Sequence, residues 1–310
     1  MTESFALEQG SVNLEAAGCP VCGGAGEPQF QQQDLLCGVP GEFGQRRCPQ
    51  CELFFLSPRV KEAEIGKYYP DSYAPYQEDS QPPWARKLAW AIGLAQRRRR
   101  IIERFAHGGK LLDVGCGQGF FLRLMGVKEG ERYQWQTYAM DMQWHGGGER
   151  PADFFEGLFD RAAPPWTGLD AVTLWHVFEH LYHPRVALKH AFGILKPGGF
   201  LFLAIPDLRC IERPLFGKYW VGWDPPRHIA TYSPKGLEIL LREAGFRMVG
   251  VVHDVCTGEL FLLNVEFFLN SRGIKWKPTR SIALRLLLAP LTFLLSRLGL
   301  APAKVYVAQR

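Results

Sequence analysis

The stretch Leu111, Leu112, Asp113, Val114, Gly115, Cys116, Gly117, Gln118, Gly119 constrains this chain more than any other. Two leucines and a valine read as the end of a buried strand. The three alternate glycines then let the backbone turn sharply, approach a ligand closely and enter a helix. A second acid, Asp141, stands 22 residues after Gly119 at the end of the next apolar run. A carboxylate there is placed to accept hydrogen bonds from a ribose diol. The spacing is G-x-G-x-G, not G-x-G-x-x-G, and Asp113 precedes the first glycine by two. A buried acid at that point would repel a pyrophosphate and suits a ligand that carries an ammonium group.

Strands and helices alternate through the chain that follows. Apolar runs predict strands at 110–114, 135–140, 154–159, 169–175, 200–205, 248–253 and 304–308. Helices are expected from Phe120, over 186–195, and over 233–245 with Ser233 as N-cap, Pro234 in the first turn and Gly245 as the stop. Trp84 to Phe105 reads as a further helix with a basic face. Continuous apolar strands separated by helices imply an α/β fold, a doubly wound, mostly parallel sheet covered on both faces.

Cys19 and Cys22 form one C-x-x-C pair, and Cys48 and Cys51 another. Two thiolate pairs can supply the two halves of a tetrahedral Zn²⁺ site. The 25 residues between the pairs exceed the usual spacing, and Cys37 within them is a candidate substitute ligand. With no open coordination position such a zinc is structural.

Hydrophobic residues make up 47% and charged residues 22% of the 310, which excludes a disordered chain, a collagen-like repeat and a coiled coil. The net charge of +5 allows a nucleic-acid partner without demanding one. Residues 1–18 hold Glu3, Glu8 and Glu15 and lack both a basic stretch and an apolar run, so no signal peptide is expected and a cytoplasmic location is. The leucine-rich segment 281–300 has only eleven residues between Arg285 and Arg297. That is too short to span a bilayer and suits a core helix or a peripheral membrane contact.

The glycine motif with its acid resembles the first motif of the class I methyltransferases, which bind S-adenosylmethionine. Asp170 to His180 resembles that family's fourth strand and the loop over the methyl donor. Leu195 to Leu203 resembles the entry to its fifth strand, and Leu240 to Phe246 the helix before its sixth. The resemblance covers about residues 104–250 and implies a seven-stranded sheet with an antiparallel last strand. It also implies that Asp113, Gly115, Cys116, Gly117 and Gly119 line the cofactor and that Asp141 holds the ribose. Met142, Leu158 and Phe159 would then lie near the adenine, and Trp175 and His176 near the sulfonium.

A cysteine ribbon, a tyrosine-rich loop and this core, in that order, resemble a bacterial group that includes the sugar C-methyltransferases. The resemblance implies that Tyr73 and Tyr76 touch the substrate and that His228 is the base, with His180 a second acid–base candidate beside the donor. Methyl transfer to oxygen or carbon needs the acceptor's proton removed, and imidazole titrates near neutrality. Arg227 stands where that group has a glutamate and is expected on a phosphate or carboxylate of the substrate. His176, Glu179 and His180 also show metal-ligand spacing, though a helix is needed to align them and His176 stands at a strand end.

The expected organisation is a zinc ribbon and N-terminal module (1–69), a linker and helix (70–105), a cofactor-binding core (106–255), a helical insertion (256–303) and the last strand (304–310). The expected activity is O- or C-methylation, with a histidine base, of a small-molecule acceptor such as a sugar, a nucleotide-sugar or another secondary metabolite, free or lipid-linked. An RNA methyltransferase is one alternative, and a catalytically silent adaptor another. The intact Asp113, three glycines and Asp141 argue against the adaptor.

Overall fold

The computed structural model describes residues 13–70, 73, 96–126, 134–145, 150–151, 153–253 and 258–310. Tyr76, the start of the helix expected from Trp84 and the 255/256 boundary lie outside the described residues.

The N-terminal part holds five short strands: β1 (Leu14–Glu15), β2 (Glu27–Gln32), β3 (Phe43–Arg47), β4 (Phe54–Leu56) and β5 (Arg59–Val60). Helix α1 (Arg97–Ile102) follows, then β6 (Gly109–Val114), α2 (Phe120–Met125), β7 (Trp135–Asp141), β8 (Phe154–Glu156) and β9 (Leu169–Trp175). Next come α3 (Pro184–Ile194), β10 (Leu195–Pro206), α4 (Glu212–Phe216), the two-residue β11 (Ala230–Thr231), α5 (Pro234–Glu243) and β12 (Arg247–His253). The last elements are α6 (Gly258–Asn270), α7 (Ile282–Arg297) and β13 (Ala303–Gln309).

Seven strands form one sheet in the order β12-β13-β10-β9-β6-β7-β8. β6, β7, β8, β9 and β10 run parallel, and β13 is antiparallel to both its neighbours. Successive side chains of a strand point to opposite faces. Leu112, Val114, Leu203 and Ile205 therefore pack on one face with Leu188 and Leu237. Leu111, Phe202 and Ala204 pack on the other with Ile102, Phe121 and Met125. The seven expected strands are all present. The third ends at Glu156, and Phe159 lies in the turn beyond it.

α5 begins as its sequence predicts, with the Ser233 hydroxyl accepting from the Gly236 amide at 2.9 Å. That hydroxyl also donates to the Cys51 carbonyl, 2.5 Å away, which ties the helix to the N-terminal module. A second tie is in the backbone. β11 belongs to a four-stranded sheet ordered β11-β4-β3-β2, so the module's sheet takes its last strand from residues far along the chain. Cys19, Cys51, Leu53 and Phe55 share a hydrophobic cluster with the main sheet. The expected boundary near residue 69 separates stretches of sequence that fold together.

The insertion between β12 and β13 is helical, as expected. α6 packs Phe261 and Phe268 against Phe216, and Asn264 is fully buried, donating to Glu212 at 2.5 Å and accepting from the Val221 amide at 2.6 Å. α7 is capped by Ser281 and buries Thr292 and Ser296, while Leu286, Leu287, Leu291 and Leu294 face outward. Among the described residues no helix is long and apolar enough to cross a membrane.

Candidate active site and metal centre

The glycine loop lies where β6 meets α2. Gly115, Gly117 and Gly119 all adopt positive φ, and Gly119 is the left-handed N-cap of α2. A Cβ on Gly115 would stand 2.3 Å from Val177 Cγ2, so the loop after β9 lies directly on the glycine turn. Asp113 is buried at the strand end and accepts from the Thr173 hydroxyl at 2.6 Å. Asp141 ends β7. One of its oxygens accepts from the Gly117 amide at 2.8 Å and the other from the Met142 amide at 2.7 Å. A carboxylate oxygen can accept more than one bond, so capacity remains for a diol. Burial raises the Asp141 carboxyl above its ordinary value, against those two amides.

These residues fit the methionine and ribose ends of S-adenosylmethionine: two acids at neighbouring strand ends and a cradle that a Cβ would fill. Cys116 packs with Ala139, Phe154 and Trp144 on the β7 side of the loop. Trp175 ends β9, with Phe121 edge-on at 5.4 Å and the Arg98 guanidinium 4.8 Å above its ring. Met142 and Leu158 are half-buried near the end of β7. Phe159 departs from the expected adenine contact. It is buried in the core, where its ring meets His190 and its carbonyl bonds that imidazole at 2.7 Å. The early end of β8 turns it inward.

The loop after β9 brings His176, Glu179 and His180 to the carboxyl end of the sheet, where His228 joins them from the segment after β10. His176 takes a left-handed φ of 57°, rare for a residue with a side chain. Its Nδ1 lies 3.4 Å from Oε1 of Glu179, which is fully buried. The Nε2 of His228 is 4.0 Å from the same oxygen, and the His180 and His228 rings stand edge to face at 4.7 Å. Each imidazole has a support on its far nitrogen. His228 Nδ1 donates to the Gly222 carbonyl at 2.9 Å, and His180 Nδ1 bonds the Tyr69 hydroxyl at 2.9 Å. Because a carbonyl can only accept, the proton of neutral His228 sits on Nδ1 and the lone pair on Nε2. Burial, then the His228 imidazole, push His180 down to about 4. Burial would raise the Glu179 carboxyl, but His176 and His228 outweigh it and hold the group below the carboxylate range.

Arg227 departs from the expected role. It is fully buried and spends all five N–H donors within the protein. Nε and one Nη bond Asp224 at 2.9 and 2.6 Å. Asp34, from the N-terminal module, takes 2.7 and 3.0 Å bonds, and the Tyr68 carbonyl takes the last at 3.0 Å. Nothing is left for a substrate anion. Asp224 and Asp34 keep the guanidinium charged against its burial. Tyr73 is buried, with Arg227 5.3 Å from its ring and Tyr69 edge-on at 5.3 Å.

Tyr69, Asp34 and Asp224 have no motif to announce them. Tyr69 reads from sequence as one more packing aromatic in the tyrosine-rich loop. Asp34 is 193 residues from its partner.

Cys19, Cys22, Cys48 and Cys51 place their sulfurs within 4.8 Å of one another, and Cys22 and Cys48 approach to 3.5 Å. A tetrahedron of sulfurs with metal bonds of about 2.3 Å has edges of roughly 3.8 Å, so this set fits zinc. Without a cation, burial pushes the Cys19 thiol up to about 11 and Cys51 higher still. Cys37 lies elsewhere. Its amide bonds Asp34 at 3.0 Å in the turn that holds Arg227.

A family model described as a methyltransferase domain matches residues 86–251. A probable S-adenosylmethionine-dependent methyltransferase of Mycolicibacterium smegmatis is 27% identical over 175 residues, which cover 53% of this chain and 65% of that protein. A ubiquinone biosynthesis O-methyltransferase of Caulobacter vibrioides is 29% identical over 155 residues, 43% of this chain and 60% of that protein. The chain thus spans less than two thirds of the length of these curated relatives. A solved SAM dependent methyltransferase from Archaeoglobus fulgidus aligns with a TM-score of 0.46 at 21% identity, over 70% of this chain and 93% of that one. With more than half of its length matched by the family model, and with the glycine loop and both strand-end acids in place, the chain belongs to the methyltransferase domain family.

Proposed function

We propose that this chain methylates a polar small molecule at an oxygen or an acidic carbon, with His228 as the base. The observation that carries the reading is the His228 imidazole. Its Nδ1 proton is fixed on Gly222, and its Nε2 lies 4.0 Å from a buried carboxylate beside the glycine loop. Bound S-adenosylmethionine supplies an electrophilic methyl on a sulfonium. The residues do the rest. Asp113 and Asp141 would hold the cofactor's ammonium and ribose and so orient the methyl donor. His228 would take the acceptor's proton on Nε2 as the acceptor is methylated. Glu179 then stabilises the imidazolium. Tyr69 orients His180 on the neighbouring wall, and the half-exposed His176 borders the acceptor space.

The four cysteines bind a structural zinc in this reading, and the ribbon they fold carries β4, to which the strand after His228 is paired. The relatives named for ubiquinone biosynthesis favour O-methylation of a small acceptor.

The test incubates the chain with methyl-labelled cofactor and pools of hydroxylated metabolites and follows the label. His228→Ala is expected to lower the rate by roughly 10²- to 10⁴-fold with cofactor affinity unchanged. A variant as active as the parent sinks the assignment.

A second reading rests on Glu179, whose two oxygens have no hydrogen-bond partner among the described residues and which lies with His180 and His228 inside 4.8 Å. Such a set could hold a divalent cation. A second bound metal equivalent, lost in Glu179→Gln while the cysteine-bound metal stays, would favour it.

A further inference from the structure

α7 is built inside out. A surface helix ordinarily turns apolar residues inward and polar ones outward. Here Thr292 and Ser296 are buried, while Leu287 is 74% exposed, Leu286 59% and Phe293 56%. At 100° per residue, Ile282, Leu286, Leu287, Leu291, Phe293 and Leu294 fall on one half of the circumference, with Thr292 and Ser296 opposite. Until Arg297 no charge interrupts that outer half. Just before the helix, Ile274 and Trp276 are also exposed, set between Arg272, Lys275 and Lys277.

Beside this face lies a cleft of about 580 Å³ between α1, β12 and α7, lined by Arg97, Arg100, Arg104, Arg297 and His253, with no acid among the described residues that line it. Arg100, Arg104 and Arg297 form no ion pair among the described residues. The charge pattern extends along the sequence. From Phe267 to Arg310 there is no aspartate or glutamate, and there are eight lysines and arginines, against a net charge of +5 for the whole chain.

We propose that this face docks on an anionic phospholipid surface. The leucines and Phe293 would enter the acyl boundary, and the arginines would bind headgroup phosphates. The helix has 16 residues and is too short to cross the hydrocarbon core, so it lies on the surface. A few inserted side chains or a few charges alone hold a protein to a membrane only weakly, and the two together do so firmly. Charge complementarity separates this occupant from a second copy of the chain. A symmetric dimer through the leucines would bring uncompensated arginines of both copies together. The surface is independent of the methyl-transfer chemistry.

Sedimentation with sucrose-loaded vesicles tests it, using the full chain with its metal. Binding is expected to vesicles containing phosphatidylglycerol and not to phosphatidylcholine alone, and to fall as salt rises. Leu287→Glu with Leu291→Glu should weaken it at least about tenfold. Arg100→Glu with Arg104→Glu should weaken it further than the roughly fivefold expected for each arginine lost, since the charge is reversed. Melting curves check that both variants fold. Equal binding to both lipids, no binding, or variants that bind like the parent overturn the proposal. A dimer in light scattering that the leucine variants dissolve, with no vesicle binding, would also overturn it and assign the face to a second copy. Because binding is read without methyl transfer, its failure is separate from failure of the functional reading.

Discussion

Replacing Arg227 with methionine should destabilise the chain by about 3–5 kcal/mol at neutral pH, the cost of removing one partner from a buried ion network. The loss falls unevenly on the two acids. Asp34 keeps amide donors from Leu36 at 3.1 Å, Cys37 at 3.0 Å and Val39 at 3.4 Å. The Asp224 oxygens bond Arg227 at 2.6 and 2.9 Å, and losing that partner leaves a buried carboxylate uncompensated. At about 2 °C per kcal/mol for a chain of this size, Tm falls by roughly 6–10 °C. The sign with pH follows from Asp224. Burial would raise its carboxyl, but Arg227 holds it below the ordinary value, so its contribution is present above about pH 4 and is lost as pH falls through the depressed pKa. In the variant the same carboxyl is raised. The gap between parent and variant is therefore widest near neutrality and narrows toward pH 4. Urea and thermal unfolding at pH 7, 5.5 and 4.5 measure it, with Arg227→Lys falling between because it keeps the charge and loses the fork. A methionine variant within 1 kcal/mol of the parent at pH 7 would refute the reasoning.

Gly115→Ala places a Cβ 2.3 Å from Val177 at a φ of 70°, so calorimetry should show cofactor affinity down at least tenfold; unchanged affinity would place the ligand elsewhere. Metal analysis should find zinc at one equivalent on the four cysteines, and its removal should lower both Tm and methyl transfer, because β11 is paired to the module those cysteines organise. Activity surviving in a metal-free chain would separate the ribbon from the site. His180 is depressed to about 4, so its neutral form contributes stability above the ordinary histidine pKa, and this is lost as pH falls from about 6.5 toward 4. The loss amounts to up to about 3 kcal/mol, and unfolding curves of His180→Asn should show a shallower acid slope than the parent.

Periodicity and short-range motifs carried the main sheet. Leu111 to Gly119 reads as strand, turn and helix start because all three are decided within nine residues, and that is where they lie. Ser233 and Pro234 mark the start of α5 for the same reason. What was hidden depends on distance. No local pattern can pair Asp34 with Arg227 across 193 residues, so Arg227 looked like a free cation beside a histidine. Two residues, Ala230 and Thr231, are too few to signal a strand, yet they complete the module's sheet. α7 misleads in another way. Its leucines have the composition of a core helix, and only the placement of Thr292 and Ser296 shows that the helix turns its polar side inward.

The four-stranded sheet also has a consequence on the ribosome. β4 ends at Leu56, and its missing neighbour comes only with Ala230 and Thr231. At about 5–20 residues per second the chain waits roughly 10–35 s between the two. For that interval the edge of β4 has unpaired backbone groups and three apolar side chains open to any other strand. A nascent chain stalled before residue 230 would thus be the most aggregation-prone form of this protein.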